Sequence, residues 1–457
     1  MTNNSRPVIN SGLYLSRQKN MEFPALLENV QSFLSENFKD LMVDGGAKNP
    51  TQTKAYIQQF LTSNHISVDG IPQDKLLSRL YRETSEFSFL TPYLNFDIKG
   101  VEDIEICAPD NIWIKFSDGR EIQSEETFYS AQHAKNIMTR LLHQSGISMD
   151  NSHPLVRGHL GKSIRITVNG GGGTLDDDVG VSASIRFINP SHLTREDIIR
   201  NGTLTAEMID SLIAFYRFGQ SMVLAGETDA GKTTVISIIM WGAVPNEKKL
   251  YTIEYETREF DQVKRDKRGR PMNKVVSTVT KESDDPKLAI TPQMLIEHGM
   301  TMNPDYLCMA EIKGSEAFET IEAAETGHPV IATTHADTAE DIPNRLVPLA
   351  SMKGNGLSEK TLYYLTARAF PILFYAQKME DGKRRVTQIC ESSYEDGRLN
   401  ITPLWEFKTD YNEKVDGKTV IHGHFEKEHI ISERLQQRLR RKGIPEPLLQ
   451  SFLKKEG

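Results

Sequence analysis

Alternating apolar and polar positions mark the middle of the chain. Ile112, Ile114 and Phe116 alternate with their neighbours within a region of short β runs over 101–116, and Asp118-Gly119 supplies a hairpin-turn signal. A helix is expected over 131–142. Two more strands read over 163–168 and 181–188. Ile164, Ile166 and Val168 share one face, so Arg165 and Thr167 take the other. Ile185 and Phe187 likewise leave Arg186 opposite, beside Ser182 and Ser184. The glycines 170–173 and aspartates 176–178 between these strands read as an exposed loop.

From Thr203 onward strand and helix patterns alternate, which implies a parallel sheet covered by helices. Residues before about 90 read as helical segments with polar breaks at Asp44-Gly45-Gly46 and Asn49-Pro50, and they carry no visible chemistry. After about Phe407 comes a charged hairpin-like stretch, then a helix pair broken at Gly443-Ile444-Pro445. The expected domains are a helical extension over 1–90, an α+β domain over 91–200, an α/β domain over 201–407 and a charged extension over 408–457.

Composition narrows the function classes. A chain of 457 residues is long enough for two or three cores. The net charge of -8 argues against a protein that coats nucleic acid or anionic lipid with its whole surface. The segment Met1–Asn10 lacks an apolar signal core, and the most apolar run, 235–244, falls far short of the roughly 20 residues of a spanning helix. A cytoplasmic protein that at most visits a membrane surface is expected. Cys107, Cys308 and Cys390 are too scattered to imply zinc or a disulfide framework.

Four segments carry chemistry. Gly226, Glu227, Thr228, Asp229, Ala230, Gly231, Lys232 and Thr233 complete the pattern G-x-x-x-x-G-K-[ST], followed by Thr234. An apolar strand enters this loop and an apolar helix leaves it, so backbone N–H groups at the helix start are aimed at phosphate, where the helix dipole favours negative charge. In that frame Lys232 neutralises β and γ phosphates and the Thr233 hydroxyl ligates Mg²⁺. The apolar strand 306–310 ends at Glu311, placed to orient water or hold the metal through water. On the segment 250–259, Glu254 and Glu256 sit on one strand face; they either position metal and water or form a solvated edge. The segment 326–338 places His328 and His335 at the two ends of a short apolar strand.

Taken in order, these segments resemble the secretion superfamily ATPases of type II secretion, type IV and Tad pili and type IV secretion: a Walker A loop, an Asp-box-like Thr252-Ile253-Glu254, a Walker B strand ending in Glu311 and a His box over 326–337. The likeness reaches back to about residue 90. It implies an α/β fold, a RecA-like P-loop NTPase domain preceded by an α+β, PAS-like amino-terminal domain. It further implies a hexameric ring that hydrolyses ATP with Mg²⁺ at the cytoplasmic face of an inner membrane, with platform or secretion-channel proteins as partners. Glu254, Glu311 and His335 are then catalytic candidates, and Arg165 and Arg186 reach phosphate as arginine fingers, with Arg157 behind them.

Three departures from the family pattern stand out. Asp229 replaces a glycine or small residue, Tyr255 stands where an aspartate is usual, and Lys313 replaces an arginine. They leave open whether Glu254, Glu256 or Glu259 is the catalytic acid. The absence of a tetracysteine cluster disfavours the zinc-bearing branch. Basic runs at 264–274 and 434–442 leave room for nucleic-acid contact, though not as the main partnership. The rival readings are a RecA-like DNA-translocating motor and a nucleotide-sensing scaffold with little turnover.

Overall fold

The computed structural model describes residues 19–38, 49–117, 119–161, 163–170, 172–188, 193–255, 257–281, 285, 287–354, 356–415 and 417–454. Expectations at Met1–Asn10, Asp44-Gly45-Gly46, Asp118, Gly171 and Glu256 lie outside them. The chain divides into two compact units, residues 1–190 and 191–457.

The first unit holds two cores. Leu26, Leu27, Val30 and Leu34 recur at helical spacing on Phe23–Asn37 and pack with Ile57, Leu61, Leu76 and Leu80 from the helices Pro50–Ser63 and Gln73–Ser85. Asn49 caps the second helix by accepting from the Gln52 amide at 3.2 Å. A parallel pair of two-residue strands, β1 (Lys19–Asn20) and β2 (Ile66–Ser67), closes this bundle. The expected helical extension therefore has a core of its own, yet falls in one compact unit with the α+β region.

That region is a six-stranded antiparallel sheet of β3 (Val101–Ala108), β4 (Asn111–Phe116), β5 (Glu121–Gln123), β6 (Leu155–Leu160), β7 (Ile164–Gly170) and β8 (Val181–Phe187), ordered β5-β4-β3-β8-β7-β6. The alternation read from sequence holds: Ile164, Ile166, Val168, Ile185 and Phe187 are buried, whereas Arg186 is exposed and Arg165 half-buried. The helix Ala131–Gln144 covers the apolar face with Ala134, Ile137, Met138, Leu141 and Leu142.

The second unit is α/β, built on a nine-stranded sheet. Its strands are β9 (Met222–Gly226), β10 (Lys249–Glu254), β11 (Lys274–Val279), β12 (Tyr306–Met309), β13 (Val330–Thr334), β14 (Ile372–Lys378), β15 (Arg384–Glu395), β16 (Arg398–Val415) and β17 (Lys418–Lys427). In the order β11-β10-β12-β13-β9-β14-β15-β16-β17, the first six strands pair in parallel and the last three antiparallel. Separate apolar cores line its two faces, as helix-covered parallel strands require. The boundary expected at 407 falls inside β16, because the charged hairpin β16–β17 continues the sheet rather than leaving it. The terminal pair, Glu433–Arg441 and Glu446–Phe452, packs Leu435, Leu439, Leu449 and Phe452 into the first of these cores.

Candidate active site

Strand β9 is buried throughout and delivers the chain to Gly226. Gly226 lies in register with Ala376 of β14, and a Cβ added there would come within 2.1 Å of the Ala376 carbonyl oxygen. Only glycine lets β14 approach at this point. The turn then needs two left-handed residues, Asp229 at φ +67° and Gly231 at φ +83°, before Gly231 caps the helix Lys232–Ala243. For Asp229 this backbone costs about 1 kcal/mol.

Lys232 Nζ donates to the carbonyls of Gly226 (2.7 Å) and Glu227 (2.8 Å), which holds the ammonium inside the turn. Burial lowers its pKa, while the negative charges of Glu311, Glu227 and Glu259 pull it back up. Glu311 and Glu259 thus act on the same ammonium. Thr233 Oγ1 donates to Glu259 Oε2 at 3.1 Å.

Of the three acids the sequence left open, the structure separates two by burial and partner, and Glu256 lies outside the described residues. Strand β10 is interior, flanked by β11 and β12, so the solvated-edge reading of this segment is overturned. Glu254 is 1% exposed and accepts the amides of Glu259 (2.5 Å) and Phe260 (2.9 Å), with Thr252 Oγ1 at 3.4 Å. Desolvation raises its pKa to about 7, against the lowering effect of the two amides. Glu254 therefore supports the Glu259 backbone, and Glu259 is the residue that touches the phosphate loop. Sequence reasoning left the choice open, because Glu254 ends β10 and Glu259 follows it within five residues.

Glu311 stands beyond the end of β12, with its Oε1 3.0 Å from His335 Nε2 and its Oε2 4.0 Å from Lys313 Nζ. Lys313 Nζ also sits 3.6 Å from the centroid of the Tyr255 ring, and the Tyr255 hydroxyl donates to Glu316 Oε1 at 2.8 Å. Glu316 in turn accepts the Lys313 and Gly314 amides, both at 2.7 Å. Two of the departures from the family pattern, Tyr255 and Lys313, are thus partners of one another. His328 lies at the opposite end of β13, lining a cavity with Arg368, Arg438 and Lys442, so the two histidines do not share a site.

The third departure also has partners. Asp229 Oδ1 accepts from an Arg384 Nη at 2.5 Å, its Oδ2 from Lys378 Nζ at 3.2 Å, and its backbone carbonyl from Arg384 Nε at 2.8 Å. No local pattern pointed to Lys378 or Arg384, which sit 149 and 155 residues downstream. The one available signal was an aspartate where the turn asks for a left-handed residue.

Arg165 and Arg186 face each other in register on β7 and β8, and His159 and Asp103 continue the row on either side. Asp103 Oδ1 accepts from Arg186 Nε at 2.8 Å. The basic stretch 264–274 is partly tied down: Lys264 Nζ donates to the Trp241 carbonyl at 2.9 Å, and Arg270 pairs with Asp266 at 2.8 Å.

At the end of the loop the Thr233 hydroxyl and the Glu259 carboxylate bring two oxygen ligands together. These are hard ligands of the type magnesium takes, and the loop's left-handed turn and helix start suit a polyphosphate, so the residues present fit Mg-nucleotide.

Residues 103–449 match the family model described as Type II/IV secretion system protein. A protein of Mycobacterium tuberculosis (strain CDC 1551 / Oshkosh), provisionally described as a conjugal transfer protein, is 24% identical over 340 residues, covering 71% of this chain and 90% of that one. The type IV secretion system protein VirB11 of Bartonella henselae is 27% identical over 173 residues, 37% of this chain and 46% of that one. The X-ray structure of the Yersinia pseudotuberculosis ATPase DotB aligns with a TM-score of 0.46 and 16% identity, over 65% of this chain and 76% of that one.

Proposed function

This chain belongs to the type II/IV secretion system protein family, and from that premise we propose that it is an ATPase of the secretion and pilus motor kind, hydrolysing Mg-ATP to drive secretion, conjugative transfer or pilus movement. The observation that carries the reading is the strand-turn-helix of residues 222–243, with the Lys232 ammonium inside the turn and Glu311 and Glu259 acting on it. Bound there, the polyphosphate takes hydrogen bonds from the loop amides, and Lys232 neutralises its developing charge.

Thr233 and Glu259 are the residues that would hold Mg²⁺, which supplies further neutralisation of the phosphates. Glu311, oriented by His335, accepts the proton of the attacking water. Arg165 and Arg186 stand side by side in register on β7 and β8, and in this reading their guanidinium groups stabilise transferred charge. The working form in this reading is a homo-hexamer bound peripherally to platform or channel proteins at the cytoplasmic face of the inner membrane. Among the described residues no helix is long and apolar enough to cross a membrane.

Phosphate release and Mg-ATP binding by the purified full chain test the proposal. Wild type is expected to bind and turn over Mg-ATP, and Lys232→Ala to fold but lose turnover. Full turnover in that variant refutes the assignment of the site.

A further inference from the structure

The turn between β14 and β15 is a stiff platform beside the phosphate loop. The Met379 amide donates to the Lys383 carbonyl at 2.9 Å, and inside the turn Arg385 makes a two-pronged ion pair with Asp381 at 2.9 and 2.6 Å, both side chains being buried. β14 is itself hydrogen-bonded along β9, the strand that feeds the loop. Platform and loop root are therefore one piece of sheet.

From its two ends the platform presents Lys378 and Arg384 to Asp229, the loop residue in the left-handed conformation. Arg384 grips both the side chain and the backbone carbonyl of Asp229, and its Cδ would lie 3.2 Å from a Cβ added at Gly231, so its stem runs across the second left-handed residue as well. All three side chains are about two-thirds covered, which limits solvent screening.

We infer that Lys378 and Arg384 are positioning residues that latch the phosphate loop in its left-handed turn through Asp229. A glycine at this position would adopt the turn without help. Aspartate adopts it at a cost, and its two cationic partners offset that cost while fixing the loop to the sheet. The latch rests on the proposed nucleotide site only for its consequence in binding; as a device that orders the loop it exists without nucleotide.

Hydrogen exchange of the full chain, with no nucleotide present, tests it directly. In Arg384→Ala the amides of residues 228–231 are expected to exchange about tenfold faster than in wild type. In an Asp229→Gly background, where Arg384 keeps only its bond to the backbone carbonyl, adding Arg384→Ala is expected to cause a clearly smaller acceleration. Unchanged exchange in Arg384→Ala, or the same acceleration in both backgrounds, overturns the latch. Should Arg384→Ala fail to fold, Lys378→Gln serves the same comparison.

Kinetics give a second reading. Arg384→Ala is expected to raise the KM for Mg-ATP about tenfold with kcat within about twofold, and Arg384→Lys to recover most of the loss. An effect confined to kcat would place Arg384 in the chemical step and overturn the latch. If wild type binds no Mg-ATP, the nucleotide reading fails, and the exchange experiment still decides the latch.

Discussion

Thr233 Oγ1 donates to Glu259 Oε2 across 3.1 Å, joining the end of the phosphate loop to an acid five residues past the strand that precedes it. The Glu259 amide is in turn held by the Glu254 carboxylate beneath it. One acid therefore meets the nucleotide loop and the other fixes its position.

Glu259→Gln is accordingly expected to lower turnover about 100-fold while Mg-ATP binding falls much less, and Glu254→Gln to lower it by no more than about tenfold. Parallel phosphate-release and nucleotide-binding measurements on both variants check this. A Glu254→Gln variant as impaired as Glu259→Gln would restore Glu254 to the chemistry.

Glu254 also sets a pH dependence. Its ordinary value of 4.5 rises to about 7 in the fold, so the folded state holds the proton more tightly than the unfolded chain. Its contribution to stability is fully present below pH 4.5 and is lost as pH rises from there through 7, a swing on the order of 3 kcal/mol. Denaturant midpoints of wild type and Glu254→Gln between pH 5 and 8 test the sign. The advantage of wild type over the variant should shrink with rising pH, and a flat or growing difference would count against the buried, desolvated carboxylate.

Gly226→Ala places a Cβ 2.1 Å from the Ala376 carbonyl, a backbone atom that cannot swing away. Separating β9 from β14 at this register is expected to cost more than about 2 kcal/mol, with nucleotide binding lost alongside. Thermal unfolding and nucleotide titration check it. A variant of wild-type stability would mean that the two strands part easily there.

What the sequence determined by itself is what local pattern encodes. Glycines at turn positions, an apolar strand before them and an apolar helix after them specify the phosphate loop, because each requirement falls on neighbouring residues. The alternation over 164–168 and 185–187 placed Arg165 and Arg186 off the apolar face for the same reason. The order of the four chemical segments was legible too, and with it the family.

Tertiary structure alone decided which groups meet. Strand β11 pairs along β10 and turns a possible edge into an interior strand, and this is what buries Glu254 and leaves Glu259 at the loop. The same holds for Asp229: its partners arrive from two strands about 150 residues away, brought beside the loop by pairing between β9 and β14. Side-chain periodicity reports the face on which a residue stands. It carries no record of the distant strand that will lie against that face, because that contact exists only once the sheet has closed around it.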